Sequence, residues 1–283
     1  MLRRCAYLLA ALLFSGAAMA QGGDGAPARV VSINLCADQM AMLLADEGQL
    51  HSVSRIALDP LSSAMADQAA TFEINHGQAE EVYLMQPDLV LAGIYTPRAT
   101  TDMLEQLGIP VVRLPVANRL EDVPDIMRQT GAALHREAEA EAMARAFTAR
   151  LNRLRATPTT WPRAVLYYAN GYTLGADTLS GQILLAAGFA NVASELGYAR
   201  GANLPLERLA LAAPDLVITG TPYPGASRSE DILAHPIVDT FRRTKAVTGA
   251  NWICGTPFVL DAIDDLIDAR RTLEAAAPPQ GAG

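Results

Sequence analysis

Residues 80–90 read EEVYLMQPDLV, and residues 207–217 read ERLALAAPDLV. In each string a short run with helical spacing of apolar positions meets Pro-Asp, and a compact apolar run follows. Proline removes a backbone donor and clashes with the preceding turn, so each string reads as a helix halted ahead of a buried strand. Glu80 aligns with Glu207, Val82 with Leu209, Leu84 with Leu211, and Pro87-Asp88-Leu89-Val90 with Pro214-Asp215-Leu216-Val217. Proline stops are common enough for one such match to be coincidence. Two α/β halves of similar plan explain the repetition better.

The flanking sequence continues the alternation. Before the first string, Arg29–Ile33 reads as a strand, Asp38–Ala45 as a helix and Val53–Ala57 as a weaker strand. Around it, Glu80–Met85 is helical and Asp88–Ala92 a strand, followed by helix Thr100–Leu107 and strand Val111–Leu114. Short apolar strands between helices predict a mostly parallel sheet covered on both faces. From Glu121 to Ala156 strand signals stop. Leu120–Thr130 reads as one helix, interrupted at Gly131. Residues 136–156 (REAEAEAMARAFTARLNRLRA) then form about five turns, with Ala140, Met143, Ala144, Phe147, Leu151 and Leu154 on one face.

After Pro162 the alternation resumes with strand Ala164–Tyr168 and helix Ser180–Ala187, which Gly188 caps. Helix Leu206–Ala212, strand Leu216–Thr219, helix His235–Phe241, a short strand at Val247 and a closing helix Phe258–Leu273 complete the pattern. The expected organisation is an amino-terminal lobe at 29–120, a helical connector at 121–158 and a carboxy-terminal lobe at 159–274. A flexible leader (21–28) and tail (275–283) flank them.

The first twenty residues read as a cleaved signal peptide rather than fold. Arg3 and Arg4 precede an apolar run, and Ala18-Met19-Ala20 supplies a small-x-small cleavage site. Cys5 lies before the apolar run, which argues against a lipoprotein. The expected product is a soluble exported protein, best suited to a Gram-negative periplasm. The whole chain carries 22 basic and 30 acidic residues, a formal charge of −8, with Lys245 its one lysine. An acidic chain without a basic tract is a poor partner for nucleic acid. Cys36 and Cys254 would remain after cleavage. In an oxidising compartment that even pair suggests a disulfide, with two buried thiols or a soft-metal pair as alternatives.

Catalytic signatures are missing. The sequence has no G-x-S-x-G, G-x-G-x-x-G, phosphate-binding loop or H-E-x-x-H, and its four histidines (51, 76, 135 and 235) include no i, i+4 pair. No resident metal or cofactor is expected. In open α/β sheets ligands gather beyond the carboxyl ends of the strands. The candidates there are Asn34, Leu35, Asp59, Tyr95, Arg98, Tyr172, Tyr223, Arg228 and Trp252. Aromatic faces beside a few cationic donors suit a bulky, partly apolar, anionic ligand. The bland alternative is that loops simply collect such residues.

Several strings, in this order and spacing, resemble one family. They are RVVSINLCADQ (29–39), AEEVYLMQPDLVLAG (79–93), the long helix 136–156, TLSGQILLAAGFANVA (178–193), LERLALAAPDLVITG (206–220) and HPIVDTF (235–241). The chain is similar to the periplasmic substrate-binding proteins of ABC importers for cobalamin, ferric siderophores and haem. The resemblance implies two Rossmann-like lobes with mostly parallel sheets joined by one long rigid helix, a ligand clamped between them, and modest closure. It implies no enzyme. It also implies that Glu80 and Glu207, each seven residues before its Pro-Asp, dock onto arginines of a membrane permease. Otherwise these are acids favoured at a helix start. The cargo implied is a metal chelate, a ferric siderophore or corrinoid ahead of haem, carried by a monomer. An exported α/β enzyme acting on such a compound is the alternative. The Cys36/Cys254 pair is not part of the resemblance.

Overall fold

The structure is a computed structural model that describes residues 25–276 except 156, 226, 243 and 245. The expected signal peptide, the first half of the leader and the end of the tail lie outside these residues. Eleven strands and eleven α-helices follow one another along the described chain. In the first half these are β1 (Val30–Ser32), α1 (Leu35–Leu44), β2 (Leu50–Ser54), α2 (Ala66–Ala69), β3 (Glu73–Asn75), α3 (Ala79–Leu84), β4 (Leu89–Gly93), α4 (Arg98–Gln106) and β5 (Val111–Leu114). Helices α5 (Asp122–Leu134) and α6 (Glu137–Leu154) come next. The second half holds β6 (Arg163–Leu166), β7 (Tyr172–Leu174), α7 (Leu179–Ala186), β8 (Ala190–Asn191), α8 (Val192–Glu195), β9 (Gly201–Asn203) and α9 (Leu206–Ala212). It ends with β10 (Leu216–Gly220), α10 (Pro236–Phe241), β11 (Val247–Thr248) and α11 (Val259–Ala276).

The first sheet is parallel in the order β3-β2-β1-β4-β5, and the second is parallel in the order β11-β10-β6-β8. Strands β7 and β9 form a separate antiparallel pair. In each half the strand after the Pro-Asp pairs with the strand that opens the half: Val30 faces Leu89, and Ala164 faces Leu216. Chain order reverses at β1/β4 and at β6/β10, and in such sheets a crevice opens at that point.

The repeated sentence has a repeated structure. Beyond the end of each helix the residue directly before proline is left-handed, Gln86 (φ 51°) after α3 and Ala213 (φ 44°) after α9. Asp88 then accepts the Ala28 and Arg29 amides at 2.7 and 3.0 Å, and Asp215 accepts the Arg163 amide at 2.8 Å. Arg29 Nε donates to the Met85 carbonyl at 2.5 Å, while Arg163 Nη1 donates to that of Ala212 at 2.7 Å. The arginine opening each half thus satisfies carbonyls at a helix end that proline leaves without partners.

The helical connector belongs to both cores. Val123, Met127, Ala144, Phe147 and Leu151 pack with the second sheet's Leu166, Leu216 and Ile218. Leu134 and Ala140, from the same two helices, pack with the first sheet's Leu89 and Leu91. Helix α6 is the expected long helix, and α5 lies against it over most of its length.

Several local expectations are corrected. The helix runs through Gly131 to Leu134, and His135 (φ 57°) ends it. A Cβ on Gly131 would come within 2.3 Å of Ala140 Cβ, so the glycine marks the close approach of α5 and α6 rather than a break. The strand expected at Val53–Ala57 is Leu50–Ser54, because Ser52 and Ser54 are buried on polar partners and lack an apolar signature. Asn75, on the unexpected strand β3, donates to the Ser32 carbonyl and the Ser52 hydroxyl, both at 2.8 Å. Strand β6 ends at Leu166, two residues earlier than expected.

Candidate functional site

Loops from the carboxyl ends of both sheets meet. Asn34 caps α1, its side-chain oxygen accepting the Cys36 and Ala37 amides at 3.1 and 3.3 Å. This fixes the first turn of α1, and there Cys36 is disulfide-bonded to Cys254, with 5.2 Å between their Cα atoms. The bridge joins the opening helix of the first half to the segment ahead of α11. A second tie is polar. The Tyr223 hydroxyl, beyond β10, donates to Asp59 at 3.1 Å and lies 3.0 Å from the Ser62 hydroxyl. Ser62 also donates to Asp59 at 2.7 Å, and Leu61 N–H at 3.0 Å. The Ser62 and Leu61 donors, with a smaller share from Tyr223, hold the Asp59 carboxyl below the usual carboxylate range.

Beside the disulfide lies a pocket of about 280 Å³, lined by Asn34, Cys36, Ala37, Met40, Gly93, Ile94, Tyr95, Leu114, Pro115, Val116, Ala117, Ile126, Ile253 and Gly255. Its wall is mostly apolar. Gly255 is required at its floor, since a Cβ there would sit 2.4 Å from Ala117 Cβ. Of the large apolar side chains that line it, Ile94 and Tyr95 after β4, Val116 after β5 and Ile253 after β11 stay exposed, as do Leu58, next to Asp59, and Tyr223 at the polar tie. Tyr95 is 82% exposed. Among the described residues no group of three or more His, Cys, Asp or Glu side chains is placed to hold a metal ion.

The structure brings together Asn34 and Tyr95 at the pocket, and Asp59 and Tyr223 at the polar tie. Arg98 opens α4 and Arg228 lies on the loop beyond β10, both exposed. Tyr172 opens β7, with its ring over Gly201 of β9. Leu35 is buried in the core of the first half. Trp252 is 7% exposed and sits in the core of the second half, where it lines a separate hollow with Ala246, Val247 and Leu266. Glu80 and Glu207 occupy the second positions of α3 and α9, both exposed, with no salt bridge among the described residues.

Ile94, Val116 and Ile253 were not singled out from the sequence, although each follows a strand end, and the rule that selected Tyr95 also reaches them. Tyr168 was hidden by the strand boundary. It stands beyond β6 at the second switch point, 3.6 Å from the position of a Cβ on Gly220. Burial pushes its hydroxyl up to about 12, against a weaker opposing hydrogen bond with Thr248. Beneath the first switch point, Asp38 of α1 is buried. It accepts the Ser54 amide at 3.2 Å and the Ser54 hydroxyl. Burial drives its carboxyl up to about 7, with the hydrogen bonds from Ser54 pulling partly the other way.

Comparison with known proteins bears on this arrangement. A family profile described as "Periplasmic binding protein" matches residues 30–252. A cobalamin-binding protein of Halobacterium salinarum is 26% identical over 231 residues, covering 80% of this chain and 63% of the relative. The chain thus spans under two thirds of that relative's length. The solved periplasmic haem-binding protein RhuT of Roseiflexus sp. RS-1, in its apo form, superposes with a TM-score of 0.71 at 18% identity, covering 87% of this chain and 98% of RhuT. The periplasmic vitamin B12-binding protein of Vibrio cholerae superposes at 0.67 and 18% identity, over 88% of this chain and 98% of that one. At these identities the superpositions establish the shared fold.

Proposed function

The chain belongs to the periplasmic binding protein family, and from that premise we propose that it is the exported, monomeric substrate-binding component of an ABC importer, capturing a metal chelate in its cleft and delivering it to an inner-membrane permease. The family and its solved relatives are binding proteins rather than enzymes, so the exported-enzyme alternative falls away. Among the described residues no helix is long and apolar enough to cross a membrane. A periplasmic location is part of the proposal, as is the division into lobes at 29–120 and 159–274 joined by 121–158.

One observation carries the reading. The carboxyl ends of two parallel sheets meet at an apolar pocket rimmed by exposed aliphatic and aromatic side chains. Exposed apolar groups clustered at one place mark a surface meant to be covered. The donor set favours a metal that arrives already ligated, and the pocket walls favour its organic periphery. At about 280 Å³ the pocket is near the lower end of small-molecule sites, so it suits one edge or arm of a larger ligand. A corrinoid or ferric siderophore meets that description, and the cobalamin-binding relative supports the corrinoid. Haem remains the third candidate. In this reading Arg98 and Arg228 meet anionic substituents of the ligand, and Glu80 and Glu207 dock onto permease arginines.

The test is calorimetric titration of the purified chain with cobalamin, a ferric hydroxamate and haemin, with product analysis. Saturable one-to-one binding without turnover is expected for one of the three. Failure to bind any of them, or chemical conversion of the bound one, overturns the proposal.

A further inference from the structure

The two most exposed leucines of the described chain fall at the same place in its internal repeat. Leu84 is 79% exposed and Leu211 86%. Each follows the exposed glutamate of its helix by four residues, Glu80 in α3 and Glu207 in α9. Residues four apart share a helix face, one turn above the other. Between them Val82 and Leu209, both fully buried, anchor the helices to their sheets. The Pro-Asp clasp then fixes each helix end with the same parts. The glutamate and leucine of one half are therefore held much as those of the other. A single exposed leucine needs no explanation. Two at equivalent positions, each beside a carboxylate without a salt bridge among the described residues, do.

Helices α3 and α9 cover the sheet faces opposite the shared α5–α6 pair, since their buried residues pack in cores that the pair does not enter. Each runs back from the carboxyl edge of its sheet, as crossover helices must, which sets its glutamate at the cleft end. A surface touching both helices must therefore bridge the two halves.

We propose that Leu84 and Leu211 are paired apolar plugs of the docking surface, each entering a socket one helical turn from the cation that meets Glu80 or Glu207. The inference rests on the docking reading above. It commits to a permease built of two like subunits, because two like plugs call for two like sockets. The glutamates then act at long range, and the leucines act once the surfaces touch.

The experiment titrates the full exported chain against the importer's permease–ATPase complex in lipid nanodiscs. L84Q/L211Q is compared with E80A/E207A, and circular dichroism melts check folding. The leucine pair is expected to weaken binding at least tenfold, to a similar extent at low and high salt. The glutamate pair should lose most at low salt. If the glutamate pair weakens binding and the leucine pair stays within twofold, the leucine inference fails and docking stands. If neither pair matters, both fail. L84Q and L211Q separately should cost alike; a loss confined to one position overturns the two-socket arrangement.

Discussion

The two halves of the molecule build the same device from different neighbours. In the first, Asp88 holds two amides at the start of β1, and the Arg29 side chain reaches His51. In the second, Asp215 holds one amide, and Arg163 pairs with Glu195 at 2.6 Å. The backbone plan of left-handed residue, proline, aspartate and opening arginine is constant, while the side-chain surroundings are not. The same contrast appears four residues past each helix cap. After Asn34 comes buried Asp38, whereas after Thr178 comes Gln182, a neutral side chain donating to the Ala176 carbonyl. Backbone geometry is what the fold requires of a half, and the charge placed inside it is free to differ.

How far the halves are independent can be tested first at the disulfide. Cys36 and Cys254 lie 218 residues apart, so removing their bond frees a long loop in the unfolded chain. C36S/C254S should lose up to about 5 kcal/mol by the chain-entropy model. Urea denaturation measures this, and a change under 1 kcal/mol would show that the halves do not rely on the tie.

Phe147 tests the shared core. It packs on the second sheet, yet its helix also supplies Ala140 to the first. F147A should cost about 3–5 kcal/mol within a single unfolding transition. Two separated transitions, seen by calorimetry, would mean that the halves unfold independently.

Asp38 breaks the symmetry in charge. Its folded pKa of about 7 lies above the 3.8 of an unburied aspartate, so the folded state keeps its proton after the unfolded state has lost it. Stability from this group is therefore full below pH 4, falls as pH rises toward 7, and stays low beyond. The fall is on the order of 3–4 kcal/mol. D38N should flatten the slope and raise stability above pH 7, as read from melting temperatures between pH 4 and pH 8. An unchanged profile would refute this assignment.

The smallest effect expected is at the clasps. D88A removes two amide partners and D215A one, both at partly exposed sites, so losses of about 1 and 0.5 kcal/mol should follow in that order. A reversed order, measured by urea midpoint, would show that the Arg163–Glu195 pair makes the second clasp the more cooperative one.

Much of the fold was legible in the sequence, and the reasons are local. A proline stop and a run such as LVLAG carry their own instructions, so Val111–Leu114 and Leu206–Ala212 match the expectation residue for residue. The short strand Glu73–Asn75 was not legible, because its stability comes from Asn75 reaching across to β1 and β2. Nor could Trp252 be placed by its position after a strand: whether its ring turns to the cleft or the core depends on α11, which comes later in the chain.

The sequence by itself determined two α/β halves, the helices between them, and the loops at which ligand candidates gather. These follow from periodicity and breakers a few residues apart. The tertiary structure decided which loops meet: Cys36 with Cys254, Tyr223 with Asp59, and α5–α6 with both cores. Such contacts join residues far apart in the chain, so their pairing is fixed by how the two sheets pack around shared helices. No local pattern encodes that geometry.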